Sequence, residues 1–100
     1  MLRHVVMFGW KPEIPAERIR EIEDALRSLP AKIPQIAAFE WGTDVSVQGL
    51  SRGLTHCFVI SFASEADRDA YQVHPEHQAF IALSRPNVAQ LLTFDYFATA

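Results

Sequence analysis

A single cysteine, Cys57, in a chain of 100 residues excludes an internal disulfide framework and any zinc site built from several thiolates. The four glycines form no phosphate-cradling run, which argues against a nucleotide or flavin cofactor. No apolar stretch approaches the ~20 residues that cross a bilayer, so no membrane partner is expected. Positive charge is also scarce. Nine Lys and Arg face twelve Asp and Glu, for a net charge of -3, whereas a nucleic-acid binder shows a basic face. The opening stretch Met1 to Trp10 is too short for the apolar core of a secretory leader, and a cytoplasmic location is expected. What is there is half apolar, at 49%, with 21% charged residues and no low-complexity run. That composition suits one folded domain spanning residues 1–100.

Two periods alternate along it. Arg3 to Lys11 reads as a strand, with His4, Val6, Phe8 and Trp10 on one face and Val5, Met7 and Gly9 on the other. Ala16 to Leu29 reads as an amphipathic helix, with Ile19, Ile22, Leu26 and Leu29 at helical spacing and Pro30 ending it. Ile36 to Val47 reads as a strand weakened at Gly42, and Gln48 to Thr55 as a loop. His56 to Phe62 is the clearest strand, setting His56, Phe58, Ile60 and Phe62 against Cys57, Val59 and Ser61. Ser64 caps a helix running to about Val73, Pro75 breaks it, and a second short helix passes through Phe80 and Leu83. Val88 to Ala98 is the last strand. The order strand, helix, strand, strand, helix, strand predicts an α+β, ferredoxin-like βαββαβ fold: a four-stranded antiparallel sheet with its helices on one face.

Helices on one face leave Val5, Met7, Cys57 and Val59 on the other, an apolar surface larger than a monomer normally exposes. A second copy packed sheet against sheet is the economical cover, so the expected partner is the chain itself, in a two-fold homodimer.

Chemistry-bearing side chains are few. His4 and His56 begin the first and third strands on the faces carrying Val6, Phe8, Phe58 and Ile60, but near opposite ends of that strand pair. Tyr71, His74 and His77 cluster around the helix break. Histidine moves protons near neutrality, and a tyrosine hydroxyl donates to a developing oxyanion. Plain structural roles stand beside these. His4 and His56 suit hydrogen-bonded strand ends, Tyr71 a core aromatic tied to backbone, His74 a residue bonding local backbone, and His77 a solvated helix position. Glu76 belongs in the first turn of the second short helix. His74 and His77 with Glu76 make a poor ligand set because Pro75 disturbs their spacing, and no metal is expected. Cys57, inside an apolar strand, reads as a small hydrophobe.

The stretches His4-Val5-Val6-Met7-Phe8-Gly9-Trp10-Lys11, Trp41-Gly42-Thr43-Asp44-Val45-Ser46 and Gly53 to Phe62 resemble the stress-responsive α/β-barrel (Dabb) family. Asp69 to Phe80, with its Tyr-x-x-His-Pro-x-His core, and Leu92 to Tyr96 extend the likeness over essentially the whole chain. The resemblance implies a dimeric α/β barrel in which two sheets face each other. Its members include stress-associated proteins and a cofactor-free polyketide cyclase of the olivetolic acid cyclase type. By that likeness His77 removes a proton from an activated methylene, Tyr71 holds the substrate or the enolate, and residues like His4 and His56 accompany the pocket. The cyclase carries a further tyrosine near the position of Leu26, where this chain has no hydroxyl.

Three functions follow as expectations. One is a cofactor-independent enzyme or binder for a small hydrophobic carbonyl or aromatic compound, with Tyr71 and His77 catalytic and His4, His56, Val6, Phe8, Phe58, Ile60 and Phe80 around the substrate. The second is a non-catalytic, stress-related homodimer, and the third a cofactorless monooxygenase on a similar barrel.

Overall fold

The computed structural model describes residues 1–99. Its first strand, β1 (Leu2–Trp10), buries alternate side chains as its period of two requires. Helix α1 (Ala16–Arg27) follows, then a single turn α2 (Leu29–Lys32), β2 (Ala38–Thr43), β3 (His56–Phe62), α3 (Glu65–Val73), α4 (Pro75–Ser84), a 3-10 turn at Arg85–Asn87, and β4 (Val88–Phe97). The four strands pair antiparallel in the order β2-β3-β1-β4, which is the ferredoxin-like arrangement. Leu2, Val6 and Phe8 of β1 and Phe58, Ile60 and Phe62 of β3 form one core with Ile22, Leu26, Leu29, Tyr71 and Phe80 from the helices and Ile33 just after α2. The opposite face carries half-buried Val5, Met7, Cys57 and Val59, flanked by exposed Leu92, Phe94 and Tyr96.

Two elements, α1 and β2, differ from the sequence reading by more than one residue at an end. The first helix stops at Arg27, and Pro30 sits in the first turn of α2, where its missing N–H costs nothing, instead of merely ending a helix. The second strand is shorter than Ile36–Val47. Asp44 accepts a hydrogen bond from the Ser46 amide at 3.0 Å and donates its own amide to Thr55 O at 2.9 Å, which turns the chain into the 44–55 loop. Val45 and Val47, whose alternation suggested a strand, are 88% and 97% exposed. That loop returns across Gly9. A Cβ there would collide with the Gly53 carbonyl, and Gly53 itself has φ +85°, so both positions require glycine.

Around Pro75 the chain is capped twice. Ser64 Oγ accepts from the Asp67 amide at 3.2 Å to open α3. His74 Nδ1 accepts from the Glu76 amide at 3.1 Å to open α4, so this imidazole serves as the cap at the helix break.

Candidate active site

A cavity of about 510 Å³ lies between the inner faces of β1 and β4 and the helices α3 and α4. His4, Val6, Phe8, Ile60, Tyr71, His77 and Phe80 line it together. Each arrives for a local reason. His4, Val6 and Phe8 share the inward parity of β1, and the break at Pro75 turns α4 so that His77 and Phe80 face the same space as Tyr71.

Tyr71 and His77 are in ring contact, with centroids 4.2 Å apart and planes at 36°. His77 Nδ1 lies 3.1 Å from the Gln72 carbonyl, which can only accept, so Nδ1 carries the proton and Nε2 is left with a lone pair. Burial holds the imidazole below its ordinary pKa against the Gln72 hydrogen bond, and the positive fields of His4, Arg85 and His74 push the same way. Neutral His77 is thus the prevailing form at pH 7. Burial pushes the Tyr71 phenol well above its ordinary value, so it stays protonated. The residue is only 1% exposed, yet its hydroxyl makes no hydrogen bond to any described residue. The expected alternative, a hydroxyl tied to backbone, is not what is found.

His4 is fixed at the β4 wall of the cavity. Its Nδ1 donates to Asp95 Oδ1 at 2.6 Å, and Asp95 Oδ2 accepts from Arg68 Nη1 at 3.3 Å. An Arg68–Asp95–His4 chain thereby orients the imidazole, whose ring stands edge-on to Tyr71 with centroids 6.0 Å apart.

His56 and Phe58 lie outside this cavity, which corrects the expectation that they share it. His56 pairs with Phe8 and His4 with Ile60, four residues apart along β3, or roughly 13 Å at the rise of a strand. His56 is engaged elsewhere. Its Nδ1 accepts from Trp10 Nε1 at 3.2 Å and contacts Thr55 Oγ1 at 2.8 Å, so Nε2 holds the proton and donates to Glu23 Oε2 at 2.6 Å. It fastens α1 to the sheet. Phe58 is wholly buried and stacked on Trp41 at 5.3 Å.

Residues 2–98 match the family described as the Stress responsive A/B Barrel Domain, Dabb. The chain belongs to the Dabb family. It is 31% identical over 99 residues to the stress-response A/B barrel domain-containing protein HS1 of Arabidopsis thaliana, covering 99% of this chain and 91% of that protein. It is 30% identical over 95 residues to olivetolic acid cyclase of Cannabis sativa, covering 95% and 94%. Among solved structures, that of At3g17210 from Arabidopsis thaliana superposes with a TM-score of 0.94 at 31% identity, covering 100% and 97% of the two chains. A dimeric ferredoxin-like protein of unknown function from Thermobifida fusca gives 0.80 at 29% identity, covering 95% and 88%.

Within this Dabb domain, sequence reasoning missed Asp95, Arg68, Arg85 and Thr93. Asp95 was within reach, because it pairs with His4 across the β1–β4 ladder and so shares its face. Arg68 had no such signal, since its partner lies 27 residues away. Leu26 is a buried apolar wall of the cavity. Among the described residues no three His, Cys, Asp or Glu side chains converge as metal ligands, and His74 Nδ1 is occupied as a cap.

Proposed function

We propose that the cavity is a cofactor-independent acid–base site acting on a small hydrophobic carbonyl compound, in the manner of a polyketide cyclase. The observation that carries this reading is the Tyr71–His77 pair: one unprotonated nitrogen and one unpartnered hydroxyl, in ring contact and lining one cavity with Val6, Phe8 and Phe80. His77 Nε2 takes a proton from the methylene beside the carbonyl. The electron pair moves onto the carbonyl oxygen, and Tyr71 donates a hydrogen bond to the enolate that forms. His4, steadied by Asp95, offers a further polar contact. The enolate carbon then attacks a second carbonyl of the same substrate, and the imidazolium returns the proton. Similarity to olivetolic acid cyclase supports this direction.

The working form in this reading is a homodimer closed over the outer sheet face. Uncovered Leu92, Phe94 and Tyr96 support it, as does the dimeric state named for the Thermobifida fusca structure. No helix among the described residues is long and apolar enough to cross a membrane. The lone Cys57 thiol, left free, suits a cytoplasmic setting.

Deuterium uptake at the methylene of ethyl 3-oxooctanoate, followed by NMR in D2O, tests the chemistry. Acceleration by the wild type and its loss in His77→Ala is the expected result. Equal uptake with and without protein contradicts it.

A further inference from the structure

Five ionisable side chains line the cavity: His4, Tyr71, His77, Arg85 and Asp95. Asp95 and Arg85 bear opposite formal charges, but only Asp95 has ion-pair partners among the described residues. Asp95 is held by both His4 and Arg68, and Arg68 also reaches Asp69 and Glu65. None of the ion pairs among the described residues involves Arg85. Its backbone is nonetheless fixed: the amide donates to Ile81 O, the carbonyl accepts from the Val88 amide, and Pro86 locks the next residue in the 3-10 turn. A well-placed backbone thus carries an exposed guanidinium, with no acidic partner among the described residues, at the rim of a cavity whose one carboxylate, Asp95, is already held by His4 and Arg68.

We infer that Arg85 anchors a carboxylate on the ligand of this cavity, so that the substrate class is a hydrophobic carbonyl acid carrying one negative charge. This rests on the cavity being the ligand site proposed above. A guanidinium presents its N–H groups as a fork that matches the two carboxylate oxygens. One free cation balances one monoanion. A phosphate dianion would find no second unpaired cation among the groups lining the cavity. The anchor also serves the acid–base pair, because the field of Arg85 disfavours a proton on His77. A carboxylate bound at Arg85 cancels that field and makes His77 a better base when substrate is present.

Octanoate and octanamide, equal in chain length and different in charge, separate the outcomes. Their dissociation constants are measured by NMR titration of the full chain as wild type, Arg85→Gln and Arg85→Lys, with the His77 and Tyr71 signals as reporters. Expected is about tenfold tighter binding of octanoate than of octanamide by the wild type. Arg85→Gln should erase that preference and leave octanamide unchanged, and Arg85→Lys should retain part of it. Equal constants for the two compounds in the wild type, or full octanoate affinity in Arg85→Gln, overturn the anchor; His77 shifts with both compounds would still leave the cavity as the ligand site. If neither compound moves the His77 or Tyr71 signals, both the anchor and the site reading fall.

Discussion

The Tyr71 and His77 rings meet at 4.2 Å across the proline break between α3 and α4, and they titrate in opposite directions for one shared reason. Burial removes the charged form of each. It lowers the imidazole and raises the phenol, so both are neutral at pH 7, one as acceptor and one as donor. Base and oxyanion donor then coexist without either being spent on the other.

Removing either group should cost rate rather than fold. His77→Ala is expected to slow enolisation of ethyl 3-oxooctanoate by about 10²–10⁴-fold, the usual contribution of a positioned base. Tyr71→Phe keeps the ring contact and should lose about 10²–10³-fold, as for one oxyanion donor. Unaltered rates in both variants, with wild-type circular dichroism, contradict these roles.

The pH profile follows from the same shifts. Base catalysis should rise with pH through a midpoint below the ordinary histidine value of 6.5 and stay flat above pH 7. Stability has the matching sign. A histidine whose folded pKa is lowered contributes fully above 6.5 and loses that contribution as pH falls below it, because the unfolded chain binds the proton first. Tyr71 acts at the other end, where stability should fall as pH rises past 10. Urea midpoints across pH 5 to 11 check both limbs.

Asp95 joins Arg68 to His4, so Asp95→Ala breaks two charge-assisted contacts at once. A loss of about 1–3 kcal/mol in urea denaturation is expected, together with a changed His4 nitrogen signal. An unchanged midpoint would show that the chain of contacts is decorative.

Gly9→Ala should destabilise by about 1–3 kcal/mol, because its methyl meets the Gly53 carbonyl, which is backbone and cannot swing aside. Thermal melting measures it. Gly42→Ala, where a Cβ meets nothing, is the control.

Leu92→Glu probes the open sheet face. Leu92 is 44% exposed in one protomer, so the change should leave each subunit folded while putting a charge into any sheet-to-sheet contact. Sedimentation should report twice 11.3 kDa for the wild type and 11.3 kDa for the variant. Identical masses for both exclude this interface.

The strands and helices were legible because their apolar residues follow clean periods: His4, Val6 and Phe8 at two, Ile22, Leu26 and Leu29 at helical spacing. Val45 and Val47 misled because alternation also occurs by chance in a loop, and the Asp44 turn that ends β2 is a side-chain bond the period does not encode. In the site, Tyr71 and His77 were legible as a local motif on either side of Pro75. His56 was placed around the substrate by the family resemblance, although its position at the opposite end of the β1–β3 pair from His4 was legible, and Glu23 claims it there. Arg68 and Arg85 escaped notice because nothing local distinguishes an arginine tied into ion pairs from one left free.

Long-range 1H–15N correlation spectra of the imidazoles at pH 7 test the central claim most directly. Expected is a neutral His77 protonated on Nδ1, with an Nε2 resonance that moves when a hydrophobic ligand is added. A His77 that is charged at pH 7, or protonated on Nε2, would contradict its role as the base.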